Sequence, residues 1–278
     1  MLALARESHF ANVLLCVWFK KEKKGGKNVF KKFYFKMELN KIYNESNIET
    51  LSKMPDCFVD LIVTSPPYNK GFYDKHTPHK SDAWKQRNIS YGDFKDNLHP
   101  DEYIRTQKEL LSELVRVLKP NGSIFYNTKA VIADHRLVYP TFVYDYNVRQ
   151  QIIWDRRASP QISPIRFLPT TEYIFWITKT NVQPKFKLIG KNKSEVWNIP
   201  ADSNPDHPAP FTAEIPMQCI MCATDEGDLV YDPYMGIGTT ALAAIKYKRN
   251  WIGSEINPEY CAKAEKKIEA IMSQTSLF

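Results

Sequence analysis

No apolar run in this chain is long enough to cross a bilayer. The best candidate, Phe10 to Phe19, falls far short of the roughly 20 residues that a spanning helix needs. It is also a poor secretion signal, because the basic cluster follows the apolar stretch and no small-residue cleavage site is evident. Cysteine is scarce and odd in number: Cys16, Cys57, Cys219, Cys222 and Cys261 are five in 278 residues. That gives no disulfide framework and fits a reducing compartment, so the expected home is the cytoplasm, with no membrane partner. Cys219 and Cys222 form C-x-x-C, but inside an apolar helical pattern (Ile215 to Ala223) with no second pair at zinc-ribbon spacing. They read as two buried thiols on one helix face. His76 and His79 lack a cysteine or acid to complete a ligand set, and no metal is expected. No internal repeat is visible.

Bulk charge carries less than its value of +7 suggests. Of 38 Lys and Arg and 31 Asp and Glu, residues 1–36 take nine and two, so 29 of each sign remain for residues 37–278. The body is formally neutral, and any basic surface must come from local clustering. The basic leader, 1–36, has three readings: a DNA-binding tail, a membrane-touching segment, or an upstream extension without structure. The third is favoured, with Met37 as the expected true start.

What is present begins at Thr64-Ser65-Pro66-Pro67-Tyr68, directly after the apolar run Phe58 to Val63. Two prolines stop a buried strand, because proline offers no N–H to a ladder and holds the preceding residue extended. At the carboxyl end of a parallel strand such a stop opens onto the ligand crevice of an α/β sheet. The Pro66 carbonyl is rigid, Pro67 has no N–H to compete for it, and the Ser65 hydroxyl lies close by. Two acceptors and the flat Tyr68 ring suit the exocyclic NH2 of a nucleobase. A plain turn ending a core strand accounts for these five residues equally well.

The other end of the chain narrows the choice. The apolar run Asp228 to Asp232 leads into Pro233-Tyr234-Met235-Gly236-Ile237-Gly238-Thr239-Thr240 and a helical pattern, Ala241 to Tyr247. Gly236 and Gly238 permit a tight strand-to-helix turn and close approach of a ligand to the backbone. A second strand, Asn250 to Gly253, reaches Glu255, where a nucleotide-binding βαβ unit places its ribose acid. Thr239-Thr240 stand where a dinucleotide fold wants a third glycine, which disfavours NAD.

With both ends in view, the sequence resembles the amino-group DNA methyltransferases of the permuted, beta class. TSPPY (64–68) is similar to the catalytic motif and DPYMGIGTT (232–240) to the cofactor glycine motif, with Tyr234 where the family usually has phenylalanine. GSEINPEYCAKA (253–264) resembles the ribose-binding segment, and HPAPFTAEIP (207–216) the segment that wraps the methionine end. The resemblance covers nearly everything from Met37 onward. It implies a Rossmann-like α/β fold: a mostly parallel seven-stranded sheet with an antiparallel hairpin and circularly permuted motif order. It implies S-adenosylmethionine as cofactor and double-stranded DNA as partner. A homodimer and a cognate restriction endonuclease are further partners of such enzymes. Ser65, Pro66, Pro67 and Tyr68 would be catalytic. Asp232, Pro233, Gly236, Gly238, Thr239, Thr240, Glu255, Asn257, Pro210 and Phe211 would bind cofactor. An acid that often touches the cofactor's adenine is replaced here by Ser46 and Asn47, so Ser46 is a neutral candidate for that contact.

Between the motifs, Asn69 to Asp101 is a long stretch of poor periodicity with basic residues interleaved with aromatics, including Lys70, Lys80, Lys85 and Arg87. Placed after the catalytic motif, it reads as a lid over the target base that contacts DNA phosphates, against a solvated excursion as the plain alternative. Glu102 to Leu118 is a helix stopped at Lys119-Pro120-Asn121-Gly122, and Ser123 to Tyr126 a strand. Gln150 to Trp154 and Thr171 to Thr178 read as the antiparallel hairpin, with Arg156, Arg157 and Arg166 at its tip able to reach DNA. The catalytic domain is thus 37–278, with lid and target-recognition insertions near 69–100 and 156–206.

The chemistry these parts imply is methylation of the exocyclic amine of a flipped base by positioning, without a covalent intermediate and with the proton lost to solvent. Ser65, where many adenine enzymes carry aspartate, pulls toward cytosine N4; the same TSPPY form in the more numerous adenine enzymes pulls toward adenine N6, which is slightly favoured. An RNA or protein methyltransferase, a non-enzymatic nucleotide-binding module and an inactive relative are the competing classes.

Overall fold

The computed structural model describes residues 3–4, 13–24, 27–69, 72, 96–133, 136–159, 167–180, 182–201 and 212–275, and side chains within these from residue 37 onward, those of 133, 274 and 275 excepted. Among the described residues, eight strands form the main sheet: β4 (Lys41–Tyr43), β5 (Val59–Thr64), β6 (Leu118–Thr128), β9 (Val148–Asp155), β10 (Thr171–Thr178), β11 (Val196–Asn198), β12 (Leu229–Asp232) and β13 (Asn250–Ser254). Their order is β11-β9-β10-β6-β5-β12-β13-β4. Only β10 runs against the rest: it pairs antiparallel with β6 and β9, and the other pairings are parallel. The sheet therefore has one strand more than the seven expected. The extra one is β11, a three-residue edge strand too short to leave a pattern in the sequence.

Helices cover both faces. α1 (Asn47–Ser52), α2 (Pro100–Val117) and a 3-10 turn (Thr141–Asp145) lie on one side; α3 (Glu214–Ala223), α4 (Thr239–Lys246) and α5 (Pro258–Thr275) lie on the other. The alternation of side chains along a strand decides which residue meets which layer. Leu61 and Val63 of β5 pack with Ile220, Ala241 and Ala264, while Ile62 packs with Leu111, Leu114 and Tyr231. Every residue of β5 is buried, as a central parallel strand requires. Each such aliphatic side chain contributes about 1.5–3 kcal/mol by leaving water.

α2 begins with Pro100 in its first turn, where no N–H is missed, followed by Asp101 and Glu102 at the positive end of the helix dipole. It passes straight into β6 at Leu118. The expected Lys119–Gly122 turn is a bulge within that strand: the register jumps from Val59↔Leu118 to Leu61↔Ser123. Gly122 is needed there, since a Cβ would meet the Asp60 carbonyl at 2.7 Å.

The leader differs from the expectation of no structure. Its described backbone forms a three-stranded sheet of β1 (Ala3–Leu4), β2 (Val13–Lys24) and β3 (Lys27–Glu38), with β2 and β3 antiparallel in continuous register. Both long strands are rich in the branched and aromatic residues that favour extended backbone. A short hairpin, β7 (Val131–Ala133) with β8 (Arg136–Val138), follows β6. No helix among the described residues is long and apolar enough to cross a membrane.

Candidate active site

Strand order reverses between β5 and β12. From β5 the chain crosses by α2 to β6 on one side; from β12 it crosses by α4 to β13 on the other. At such a junction the two crossover loops part and leave a crevice beyond the carboxyl ends of the strands. Because β5 and β12 pair directly (Ile62↔Tyr231), the loops that leave them are neighbours. Ser65–Tyr68 leaves one and Pro233–Gly238 leaves the other. Motifs some 170 positions apart in the chain thus open side by side.

On the β12 side, Gly236 and Gly238 have φ of 54° and 88°, a left-handed backbone that suits glycine. A Cβ on Gly238 would sit 3.0 Å from that of Ala264 on α5. Asp232 organises the turn: one carboxylate oxygen accepts from the Tyr234 N–H (3.0 Å) and the other from the Thr240 hydroxyl (2.6 Å). Its burial raises its pKa to about 6 against these stabilising bonds. Pro233 is buried and Thr239 half-buried at the start of α4. Glu255, following β13, accepts from the backbone N–H groups of Gly236 and Asn257, each at 2.8 Å. Burial raises its pKa as well, with those two N–H groups and that of Ile256 opposing.

On the β5 side the geometry goes beyond the motif. The Tyr68 hydroxyl donates to Glu172 Oε2 (2.8 Å) and lies 2.9 Å from Ser65 Oγ. Asn127 Nδ2 reaches Tyr68 Oη (2.6 Å), Glu172 Oε2 (2.9 Å) and Ser65 Oγ (3.2 Å). Arg156 Nη1 closes the cluster on Glu172 Oε1 at 2.8 Å. Burial, and then the Glu172 charge, push the Tyr68 pKa well above that of a free phenol. The Tyr103 hydroxyl of α2 donates to the Pro67 carbonyl (2.9 Å), while no donor among the described residues reaches the Pro66 carbonyl. The ammonium of Lys129 lies 5.5 Å from the centre of the Tyr68 ring, so one ring face is covered here.

The other sequence-derived candidates fall in several places. Ser46 caps α1, its hydroxyl accepting from the Glu49 N–H at 3.2 Å, because a helix start leaves backbone N–H groups to satisfy. Arg156 is turned inward onto Glu172 and lies over Trp154 at 5.5 Å, so it does not project from a hairpin tip; Arg157 beside it is exposed. Cys219 and Cys222 are buried on α3, where burial raises both thiol pKa values. Lys70, Lys80, Lys85, Arg87, Arg166, Pro210 and Phe211, with His76 and His79, lie outside the described residues. Asn127, Glu172 and Tyr103 were not singled out from the sequence. Glu172 left a signal: an acid inside the apolar strand Thr171–Thr178 needs a partner, and β9 supplies it in Arg156, just past its end.

Comparison with known proteins agrees with this geometry. A family model described as DNA methylase, of the N6/N4 type, matches residues 59–266. The chain belongs to that family. As a DNA methylase with its catalytic motif ahead of its glycine motif, it has the beta-class order. It is 29% identical over 268 residues to the Type II methyltransferase M.BglII of Bacillus subtilis, covering 81% of this chain and 68% of that one. M.HpaI of Haemophilus parainfluenzae is 27% identical over 244 residues, with 80% and 72% covered. Among solved structures, the cytosine-N4-specific PvuII DNA methyltransferase superposes with a TM-score of 0.63 at 22% identity, covering 81% and 84% of the two chains. The M1.HpyAVI–SAM complex gives 0.55 at 21%, covering 82% and 98%. At these identities the structural matches show the fold of a DNA methylase.

Proposed function

We propose that this DNA methylase transfers a methyl group from S-adenosylmethionine to the exocyclic amine of a base flipped out of double-stranded DNA, adenine N6 ahead of cytosine N4. The observation that carries the reading is the adjacency of the Ser65–Tyr68 loop and the glycine turn on paired strands at the reversal of strand order. That adjacency supports an amine-binding set beside a nucleotide-binding turn.

The residues at the turn fit the cofactor. Left-handed glycines open the backbone, and the Glu255 carboxylate, with room for about four hydrogen bonds, keeps accepting capacity for ribose hydroxyls beside its backbone N–H partners. Gly236, Gly238, Glu255 and Asn257 would hold it, with Asp232, Pro233, Thr239 and Thr240 shaping the turn and Pro210 and Phe211 at the methionine end. Ser46 is proposed for the adenine contact, since its hydroxyl keeps a proton and a lone pair beyond the cap on Glu49, with Asn47, a side-chain partner of the Tyr234 hydroxyl, next to it. When bound, S-adenosylmethionine supplies an electrophilic methyl on a sulfonium. The chain's own part is positioning. The Pro66 carbonyl and the Ser65 hydroxyl accept the amine hydrogens, and Tyr68 holds the base. Asn127 Oδ1, buried with no partner among the described residues, is a further acceptor in the same cluster.

Lys70, Lys80, Lys85, Arg87, Arg157 and Arg166 are the proposed DNA contacts. The proposal extends to a cytoplasmic restriction-modification role, with a cognate endonuclease and a homodimer as partners. The test is transfer of labelled methyl to unmethylated duplex DNA, with RNA and glutamine-containing peptides offered in parallel. Label should appear in DNA alone and fall by about 100-fold in Ser65→Ala. Label in RNA or peptide, or none in DNA, would contradict the proposal.

A further inference from the structure

A methylated exocyclic nitrogen carries a positive charge until it sheds a proton, so the site must say where that proton goes. Direct loss to solvent is the simplest route from sequence alone, since serine is a weak base. The structure holds something stronger. Glu172 is 5% exposed, a buried carboxylate two hydrogen bonds from Ser65.

Counting protons orients the chain of contacts. The Arg156 guanidinium pairs with Glu172 Oε1 at 2.8 Å, and a carboxylate in such a pair acts only as an acceptor. Tyr68 has one hydroxyl proton, and its 2.8 Å contact with Glu172 commits it there. The two Asn127 Nδ2 protons serve the closest acceptors, Tyr68 Oη and Glu172 Oε2. With the Tyr68 proton committed to Glu172, the 2.9 Å contact of Ser65 with Tyr68 must be donated by Ser65, whose oxygen also faces Asn127 Nδ2 at 3.2 Å. With its proton spent inward, Ser65 offers only lone pairs to an incoming amine.

We propose that Glu172 is a positioning residue that fixes Ser65 as an acceptor and receives the displaced proton through Tyr68. This rests on the amine-methylation reading above. The N–H bond of the methylated amine breaks and its proton passes to Ser65 Oγ. The Ser65 proton moves to Tyr68 Oη, and the Tyr68 proton to Glu172 Oε2. The nitrogen ends neutral, both hydroxyls are restored, and Glu172 becomes a carboxylic acid that returns its proton to water after turnover. Arg156, inward and paired, serves to hold that carboxylate.

The test is single-turnover methylation of duplex DNA by the full chain saturated with S-adenosylmethionine, read as methylated nucleoside, alongside equilibrium binding of cofactor and DNA. Glu172→Gln should slow the chemical step by about 100-fold or more while both affinities stay within about threefold. Tyr68→Phe, which removes the middle link and keeps the ion pair, should fall to a similar rate. The double variant should be no slower than the worse single, as links of one chain are not additive. Either single variant at the wild-type rate, or multiplicative losses in the double, would overturn the relay. If Glu172→Gln loses cofactor binding through misfolding, Tyr68→Phe decides alone. A wild-type protein that methylates no DNA base would remove the underlying reading instead.

Discussion

Asp232 gives the sharpest test of how the glycine turn is held. The residue is 4% exposed, and burial lifts its pKa from 3.8 to about 6. An acid whose folded pKa lies above its unfolded value destabilises the fold once it ionises. That cost is complete above the folded pKa and fades as pH falls toward the unfolded one. A shift of about 2 units at about 1.4 kcal/mol each amounts to roughly 3 kcal/mol, a large share of the 5–15 kcal/mol of a typical domain. Asp232→Asn removes the charge and keeps an acceptor for the Tyr234 N–H, while the Thr240 hydroxyl can rotate to meet the new amide. Urea unfolding of both proteins from pH 4 to pH 7.5 isolates this residue from every other titration. Relative to the variant, the wild type should lose roughly 3 kcal/mol at pH 7.5, about half of that at pH 5 and under about 1 kcal/mol near pH 4. A difference that stays flat across this range would refute the reasoning.

Two further outcomes follow from the same turn. Gly238→Ala must hold φ of 88° and press a Cβ to 3.0 Å from that of Ala264. It should cost about 1–2 kcal/mol, lowering Tm by about 2–4 °C per kcal/mol, and should weaken cofactor binding in calorimetry. Tyr234→Phe restores the residue usual in the family but removes a buried hydroxyl, with pKa pushed up to about 12, from Asn47 and Gln107. A loss of about 1 kcal/mol in urea unfolding is expected, and an unchanged midpoint would mean that the hydroxyl contributes nothing.

Much of the architecture was legible because its signals are local. An apolar run stopped by two prolines marks β5, and Gly-x-Gly between a strand and a helical pattern marks the turn after β12. Helix α2 shows in its apolar spacing. What was missed depends on contacts distant in sequence. Asn127 and Glu172 lie 45 positions apart on neighbouring strands, and no spacing rule brings them to Tyr68. Arg156 reads as a DNA contact until a buried acid is found to claim it. Ser46 reads as a ligand group alone, and only the placed start of α1 shows that its hydroxyl also caps a helix. Strand β11 is only Val196–Asn198, so its place at the sheet edge comes from pairing with β9 and not from its own composition.

The central claim is that a DNA amine is methylated at the junction of the β5 and β12 loops. Nucleoside mass spectrometry tests it most directly. The protein would be incubated with S-adenosylmethionine and unmethylated duplex DNA, and the DNA then digested. N6-methyladenine is the expected product, absent from a Ser65→Ala control; N4-methylcytosine would keep the chemistry and change the base. Neither product, from a protein that still binds S-adenosylmethionine, would contradict the account.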